Sequence, residues 1–300
     1  MVAVTRRACV NPQVAAAVKA CETVTRLRAR NFYYGLRLTP LDRRWAMYAV
    51  YAWMRQADDL ADEHGPSRSE RAQRMQIFRE DTEQALAGHA DPSQPAMVAL
   101  AEAVQQFQLK PEEFREMLLG QWGDLDAAAF QSWEDLRTFC YRVAGTVGLI
   151  CIRIWGFSNP EAPRLAIERG IAFQLTNVLR DLREDLDAGR CYVPLREFAA
   201  MELTPAELRD WKQSDRCVEF IRAQTQRARL HYERSQPLDA MIDPACRPTL
   251  WAMTQIYSGI LDRIEANPQI VVAGRARLSN FRKAWIAWRA TRLSSQGLAV

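Results

Sequence analysis

Apolar positions recur every three to four residues along most of the chain, and strand-like alternation of apolar and polar side chains is scarce. The helix formers Leu, Ala, Arg, Glu and Gln are abundant throughout. This pattern predicts an all-α protein. Helix starts are marked at Thr39-Pro40-Leu41-Asp42 and at Thr204-Pro205-Ala206-Glu207, where a capping side chain precedes a first-turn proline and an acidic residue. Lys110-Pro111-Glu112-Glu113 is a weaker version of the same signal. Gly- and Pro-containing breaks fall at 64–66, 88–95, 156–163, 189–194 and 237–248. They have the length of loops rather than linkers, and no repeat, low-complexity tract or composition shift divides the chain. A single domain over 1–300 is expected, with 1–29 and 293–300 as flexible ends.

Two patterns, 41–63 and 164–188, are long for surface helices and apolar on more than one face, which places them in the core. Each carries acidic residues toward its C-terminal end. The first holds Asp58, Asp59 and Asp62 in Arg55-Gln-Ala-Asp-Asp-Leu-Ala-Asp-Glu63; the second holds Asp181 and Asp185 in Asn177-Val-Leu-Arg-Asp-Leu-Arg-Glu-Asp185. Residues three or four apart share a helix face, so each run sets at least two carboxylates on one stripe. Unpaired carboxylates facing a core are costly, and the negative end of the helix dipole adds to the cost. Compensation must come from Arg55, from Arg180 or from a divalent cation. A salt-bridged helix surface accounts for either cluster alone. Two clusters, each set in an apolar and aromatic helix, favour a cation between them. Oxygen-only donors suit Mg²⁺, which commonly brings substrate phosphates with it.

Bulk properties narrow the classes. A net charge of +4, with 48% hydrophobic and 25% charged residues, is ordinary for a soluble protein and too small to argue for nucleic acid. The basic residues are unevenly placed: no acidic side chain follows Glu265, whereas Arg275, Arg277, Arg282, Lys283, Arg289 and Arg292 do. A solvated helix face accounts for this tail; attraction to phosphate or to an anionic membrane is the functional reading. Seven scattered cysteines without a Cys-x-x-Cys pair suggest a reducing cytoplasm. The first ten residues lack the apolar core of a secretory signal, and the longest apolar stretch, 143–157, is interrupted by Arg153 and short for a bilayer. A cytoplasmic location is expected, with membrane contact confined to a peripheral one at the inner face.

An apolar helical cavity with two opposed carboxylate clusters suits one kind of chemistry. Mg²⁺ between the clusters would grip a diphosphate and make it a better leaving group. If the rest of the substrate is an allylic hydrocarbon, departure leaves a carbocation, which needs a dry cavity and aromatic faces. Phe32, Tyr33, Tyr34, Tyr48, Tyr51 and Trp53 lie near the first cluster and Phe173 near the second. Core packing accounts for most of them. Tyr51 stands a turn and a half before Asp58, on a face that can reach the same cavity.

These segments resemble the squalene/phytoene synthase family of head-to-head prenyl transferases. The matching runs are Asn31-Phe-Tyr-Tyr34, Tyr48-Ala-Val-Tyr-Ala-Trp-Met-Arg-Gln-Ala-Asp-Asp-Leu-Ala-Asp62, Val143-Ala-Gly-Thr-Val-Gly148, Phe173-Gln-Leu-Thr-Asn-Val-Leu-Arg-Asp-Leu-Arg-Glu-Asp185 and Gly189-Arg-Cys-Tyr-Val-Pro194, in that order. The resemblance implies a class I isoprenoid synthase bundle around a central cavity. It implies Asp58, Asp59, Asp62, Asn177, Asp181 and Asp185 as metal ligands, with Mg²⁺ as the ion and Mn²⁺ as the alternative. Asp58, Asp62, Asp181, Asp185 and Tyr51 would form the catalytic set. Arg55, Gln174, Arg180, Tyr257 and Arg275 match positions that contact diphosphate or its metal shell. Phe32, Tyr34, Tyr51, Val143, Ala144, Val147, Gly148 and Leu175 match the substrate cavity, where small side chains would leave room for a long hydrocarbon.

The implied reaction joins two prenyl diphosphates through a cyclopropylcarbinyl diphosphate. Hydride from NADPH then gives squalene, and proton loss gives a product such as phytoene; no glycine-rich dinucleotide fingerprint is present. The family usually has tyrosine where this chain has Phe139, which leaves the proton to the departing diphosphate, Tyr51 or Tyr257. Arg183-Glu184-Asp185 and the run 277–283 tilt the expectation slightly toward farnesyl diphosphate and a presqualene or squalene-type product, with phytoene synthesis from geranylgeranyl diphosphate as the alternative. A head-to-tail elongator would normally show a second Asp-Asp-x-x-Asp. A non-catalytic helical assembly protein on the same fold would tend to lose motif carboxylates, and this chain keeps both clusters. Oligomeric state is not written in the pattern.

Overall fold

The computed structural model describes residues 11–29, 31–62, 67–124 and 129–296; the side chains at 31, 32, 34, 62, 124 and 293–296 lie outside that description. In chain order the helices are α1 (Pro12–Arg28), α2 (Asn31–Leu36), α3 (Leu41–Asp62), α4 (Arg68–Leu86), α5 (Pro95–Phe107), α6 (Pro111–Asp124) and α7 (Trp133–Cys140). A π-helical segment, Tyr141–Gly145, joins α7 to α8 (Thr146–Trp155). Then come α9 (Ala162–Asp187), α10 (Leu195–Ala200), α11 (Pro205–Arg209), α12 (Ser214–Arg234), α13 (Leu238–Met241), α14 (Arg247–Ala266), α15 (Ile270–Ala273) and α16 (Asn280–Gln296). Among the described residues no strand forms, and two isolated bridges, Ala129 with Cys191 and Phe157 with Ile242, tie loops together.

The two long patterns become α3 and α9, each within two residues of the expected bounds. Thr204 and Glu207 make the reciprocal capping box their spacing calls for. Two further boxes, Ser67 with Glu70 and Ser132 with Asp135, start α4 and α7 without having stood out in the sequence. Thr39 does not cap α3. It is fully buried, so its hydroxyl needs an internal partner and finds Thr249 at 3.2 Å; the carbonyl of Pro40 accepts the first helical bonds instead. The segment expected to be a flexible end is helical from Pro12, where Asn11 Oδ1 accepts from the Gln13 amide at 2.9 Å. It buries Val14, Ala17 and Cys21 and packs on α3 and α5.

Buried side chains gather in two cores. One is built on α1, α3, α5, α6 and α8; the other on α9, α12, α14 and α16. Ile167 and Phe173 of α9 touch both. The continuous helical run Trp133–Trp155 has the length and apolarity of a membrane span by composition alone. Half of its apolar window is buried inside the protein, and it packs on α6 and α9, as a core helix does.

Candidate active site

A cavity of about 370 Å³ opens between the two cores. On α3 it is lined by Met47, Val50, Tyr51, Met54 and Asp58, a run of three- and four-residue steps. On α9 the lining residues are Ala166, Arg169, Gly170, Phe173, Gln174, Asn177, Val178, Asp181 and Asp185, again in steps of one helical face. Both helices pass from an apolar half to an acidic half. At 1.5 Å per residue, the α9 stripe runs for about 28 Å. Leu36, Cys151, Ile152, Trp155, Leu238, Leu250 and Met253 complete the apolar part.

The two acidic segments therefore face one space. Asp58 points into it and accepts a short hydrogen bond from Gln121 of α6. Asp59 turns away: it is half-exposed and held by Arg28 at 2.7 Å and by Arg55 one turn earlier. The side chain of Asp62 lies outside the described residues, as do those of Phe32 and Tyr34. On α9, Asp181 is gripped by two guanidinium groups, Arg180 at 2.9 Å through Nε and Arg275 at 2.7 Å. Asp185 lies 3.6 Å from Arg190. Arg275 also reaches Glu184 at 3.4 Å.

Burial would lower the pKa of Arg180, but hydrogen bonds to Asp181 and to the Tyr257 phenol hold it above its ordinary value, so it stays charged. Tyr257 is buried behind Phe173, stacked at 4.7 Å between centroids, and does not line the cavity. Burial raises its pKa, against the opposing charge of Arg180. The Tyr51 phenol is pushed up to about 12, mainly by burial, with Arg55 pulling the other way.

Among the described residues no three His, Cys, Asp or Glu side chains form a ready metal cluster. The fit of a divalent cation rests on a different observation. Asn177 Oδ1 is buried and has no hydrogen-bond partner, while its Nδ2 donates to Gln174 at 3.2 Å. An orphaned buried oxygen is costly. It lies on the same α9 stripe as Asp181 and Asp185, one and two turns before them, and the three offer oxygens only, as a hard cation requires. The Arg55 Nε is likewise buried without a partner, a donor that suits an anion. The residues fit Mg²⁺ together with a diphosphate.

The wall differs from expectation in three places. Val143, Ala144, Val147 and Gly148 line the cavity, but Leu175 faces the opposite side of α9 with Ile171, Leu179 and Leu182, in the second core. Two residues from Phe173 is about 200° around a helix, which turns Leu175 away. Gly148 is small for a reason other than room for substrate: a Cβ there would stand 2.6 Å from the Ala166 carbonyl oxygen. A Cβ on Gly170 would run into Ala144 and Gly145 of the π segment. These glycines bring α8 and the π segment into close contact with α9. Finally, Phe139 lines the cavity and stacks on Tyr192 at 5.2 Å, and Tyr192 also lines it. A phenol thus reaches this region from the loop after α9, while Tyr141 is not part of the lining. Gln121, Arg190 and Tyr192 were missed as site residues. Only Arg190 and Tyr192, inside Gly189-Arg-Cys-Tyr-Val-Pro194, had a sequence signal.

Comparison with known proteins agrees with this architecture. The family model for squalene/phytoene synthase matches residues 25–282. A phytoene synthase of Arthrospira platensis is 36% identical over 277 residues, covering 88% of each chain. One of Mycobacterium tuberculosis is 35% identical over 280 residues, covering 92% of this chain and 90% of that one. Among solved structures, a dehydrosqualene synthase bound to a ligand superposes with a TM-score of 0.84 at 25% identity, covering 93% of this chain and 97% of that one. The squalene synthase of Alicyclobacillus acidocaldarius gives 0.79 at 27% identity, covering 86% and 96%. With the all-α isoprenoid synthase fold, both acidic helices on one cavity and a family match over most of its length, the chain belongs to the squalene/phytoene synthase family of prenyltransferases.

Proposed function

We propose that the protein condenses two molecules of geranylgeranyl diphosphate head to head, giving phytoene. The observation that carries this is the relatives: those named phytoene synthase are 35 and 36% identical over nearly the whole chain, against 25 and 27% for the solved squalene-type neighbours. The residues behind the slight farnesyl preference weigh little against it. Arg183 donates to the Ala273 carbonyl at 2.9 Å, Glu184 pairs with Arg275, and neither lines the cavity. They say nothing about substrate length.

In the first half-reaction the C1–O bond of one substrate breaks, and the C2–C3 double bond of the other attacks C1. Loss of one proton closes a cyclopropane. In the second, the remaining diphosphate leaves, the cation rearranges and a second proton is lost. Two diphosphates and two protons are released, and the electrons balance without a reductant. NADPH has no part in this reading. Asn177, Asp181, Asp185 and Asp58 would hold Mg²⁺, which neutralises charge on the departing diphosphate. Arg180 and Arg275, which pair with Asp181, would turn to the diphosphate. Val147, Ile152, Trp155 and Phe173 keep water from the cation. Tyr51 stays protonated well above neutral pH, so it donates a hydrogen bond and the released diphosphate takes the proton.

The test is product analysis. The purified protein is incubated with Mg²⁺ and either geranylgeranyl or farnesyl diphosphate, each with and without NADPH. Phytoene from the longer substrate, independent of NADPH, is expected. A C30 hydrocarbon or its cyclopropyl diphosphate, formed in preference from the shorter one, would overturn the assignment.

A further inference from the structure

The outward face of α16 is aromatic and basic. Ile286 and Ala290 turn inward and are buried against the rest of the protein. Phe281, Trp285 and Trp288, at i, i+4 and i+7, point the other way at 83, 37 and 53% exposure. An ordinary surface helix keeps its second face polar; this one sets large aromatic rings among its basic residues. Arginines stand over the exposed rings: Arg282 over Trp285 at 5.6 Å, Arg289 over Trp285 at 5.3 Å and Arg292 over Trp288 at 4.6 Å. No acidic residue occurs after Glu265, so the charge of this end of the chain has one sign.

The geometry points to α16 as the surface that docks on a bilayer containing anionic lipid. Tryptophan and phenylalanine on one side of a helix, rimmed by arginine, suit the boundary between headgroups and acyl chains. Charge complementarity selects the occupant. A second copy meeting this face across a two-fold axis would set arginine against arginine, whereas anionic headgroups would neutralise it. The helix below adds a reason. α16 packs on α14 and α2, whose Leu250, Met253 and Leu36 line the cavity. One helical layer separates the docking stripe from the cavity wall. Resting on the proposed reaction, this places a lipid phase beside the site that makes a hydrocarbon with no polar group.

The test uses the full chain and vesicle flotation. Vesicles of phosphatidylglycerol and phosphatidylcholine in equal parts are compared with phosphatidylcholine alone. Binding to the anionic vesicles about tenfold tighter, and weakened by molar salt, is expected. The double variant Phe281→Ser, Trp288→Ser should lose about tenfold in that affinity, with unchanged helix content and unchanged turnover of detergent-dispersed substrate. Arg282→Glu with Arg289→Glu should remove the preference for anionic vesicles. Wild-type binding by the serine variant would overturn the proposal. So would a dimer in light scattering that the serine variant dissociates, since the face would then join two copies. Vesicle binding needs no turnover: protein that docks but makes no C40 product would sink the substrate reading and leave the docking surface standing.

Discussion

On α9, Asp181 is held by Arg180 and Arg275, and beside it Asn177 leaves a buried oxygen without a partner. On α3, Asp58 faces the cavity, accepts a hydrogen bond from the Gln121 amide and feels the charge of Arg55, and Asp59 faces out to Arg28 and Arg55. The two acidic helices thus solve the same electrostatic problem differently. The α9 group lines the cavity with two guanidinium groups close at hand. The two described carboxylates of the α3 group are split, Asp58 inward and Asp59 into an outward ion pair. Equal spacing in sequence therefore hides unequal roles: direction from the helix axis, rather than number of aspartates, decides which can meet a substrate.

The sharpest way to break this comparison is to neutralise the carboxylates one at a time. Asp181→Asn or Asp58→Asn should cost about a thousandfold or more in turnover, with helix content intact by circular dichroism. Asp59→Asn, which loses an ion pair beside the cavity, should cost only about tenfold. Equal losses at Asp58 and Asp59 would show that both enter the cavity. A smaller effect tests Asn177 as a candidate ligand on α9. Asn177→Leu should raise the Mg²⁺ concentration for half-maximal rate by about a hundredfold, leaving the maximal rate within reach at high metal. An unchanged metal dependence would remove the orphaned oxygen from the ligand set. The smallest effect concerns pH. An acid whose folded pKa is raised stays neutral until pH approaches that value. With Tyr51 at about 12, turnover should show no rise through pH 8–10 that Tyr51→Phe abolishes. Such a rise would make the phenol the base.

Much of this was legible beforehand because helix periodicity is a local property. The bounds of α3 and α9, the Thr204 box and the stripe shared by Asp181 and Asp185 all follow from spacing along one element, while Gln174 and Asn177 came with the family resemblance. What needs a second element was not. Gln121 reaches Asp58 from α6, and nothing in its own neighbourhood marks it. Nothing in the sequence sets Met47, Trp155, Leu250 and Met253 apart as lining, because a cavity wall and a core use the same residue types. Thr39 read as a cap until Thr249, far along the chain, claimed its hydroxyl. Leu175 was misplaced because a matched motif does not say which way each member points.

The close approach of α9 to α8 at Gly148 and to the π segment at Gly170 has a consequence for redesign. Backbone meets backbone there, so that side of the cavity can be neither deepened nor filled without pushing a helix aside. Elsewhere the lining includes Met47, Met54 and Met253, unbranched and readily rearranged. Attempts to change which chain length the protein accepts belong on those three methionines, where the wall is soft, and not on the glycines, where it is stone.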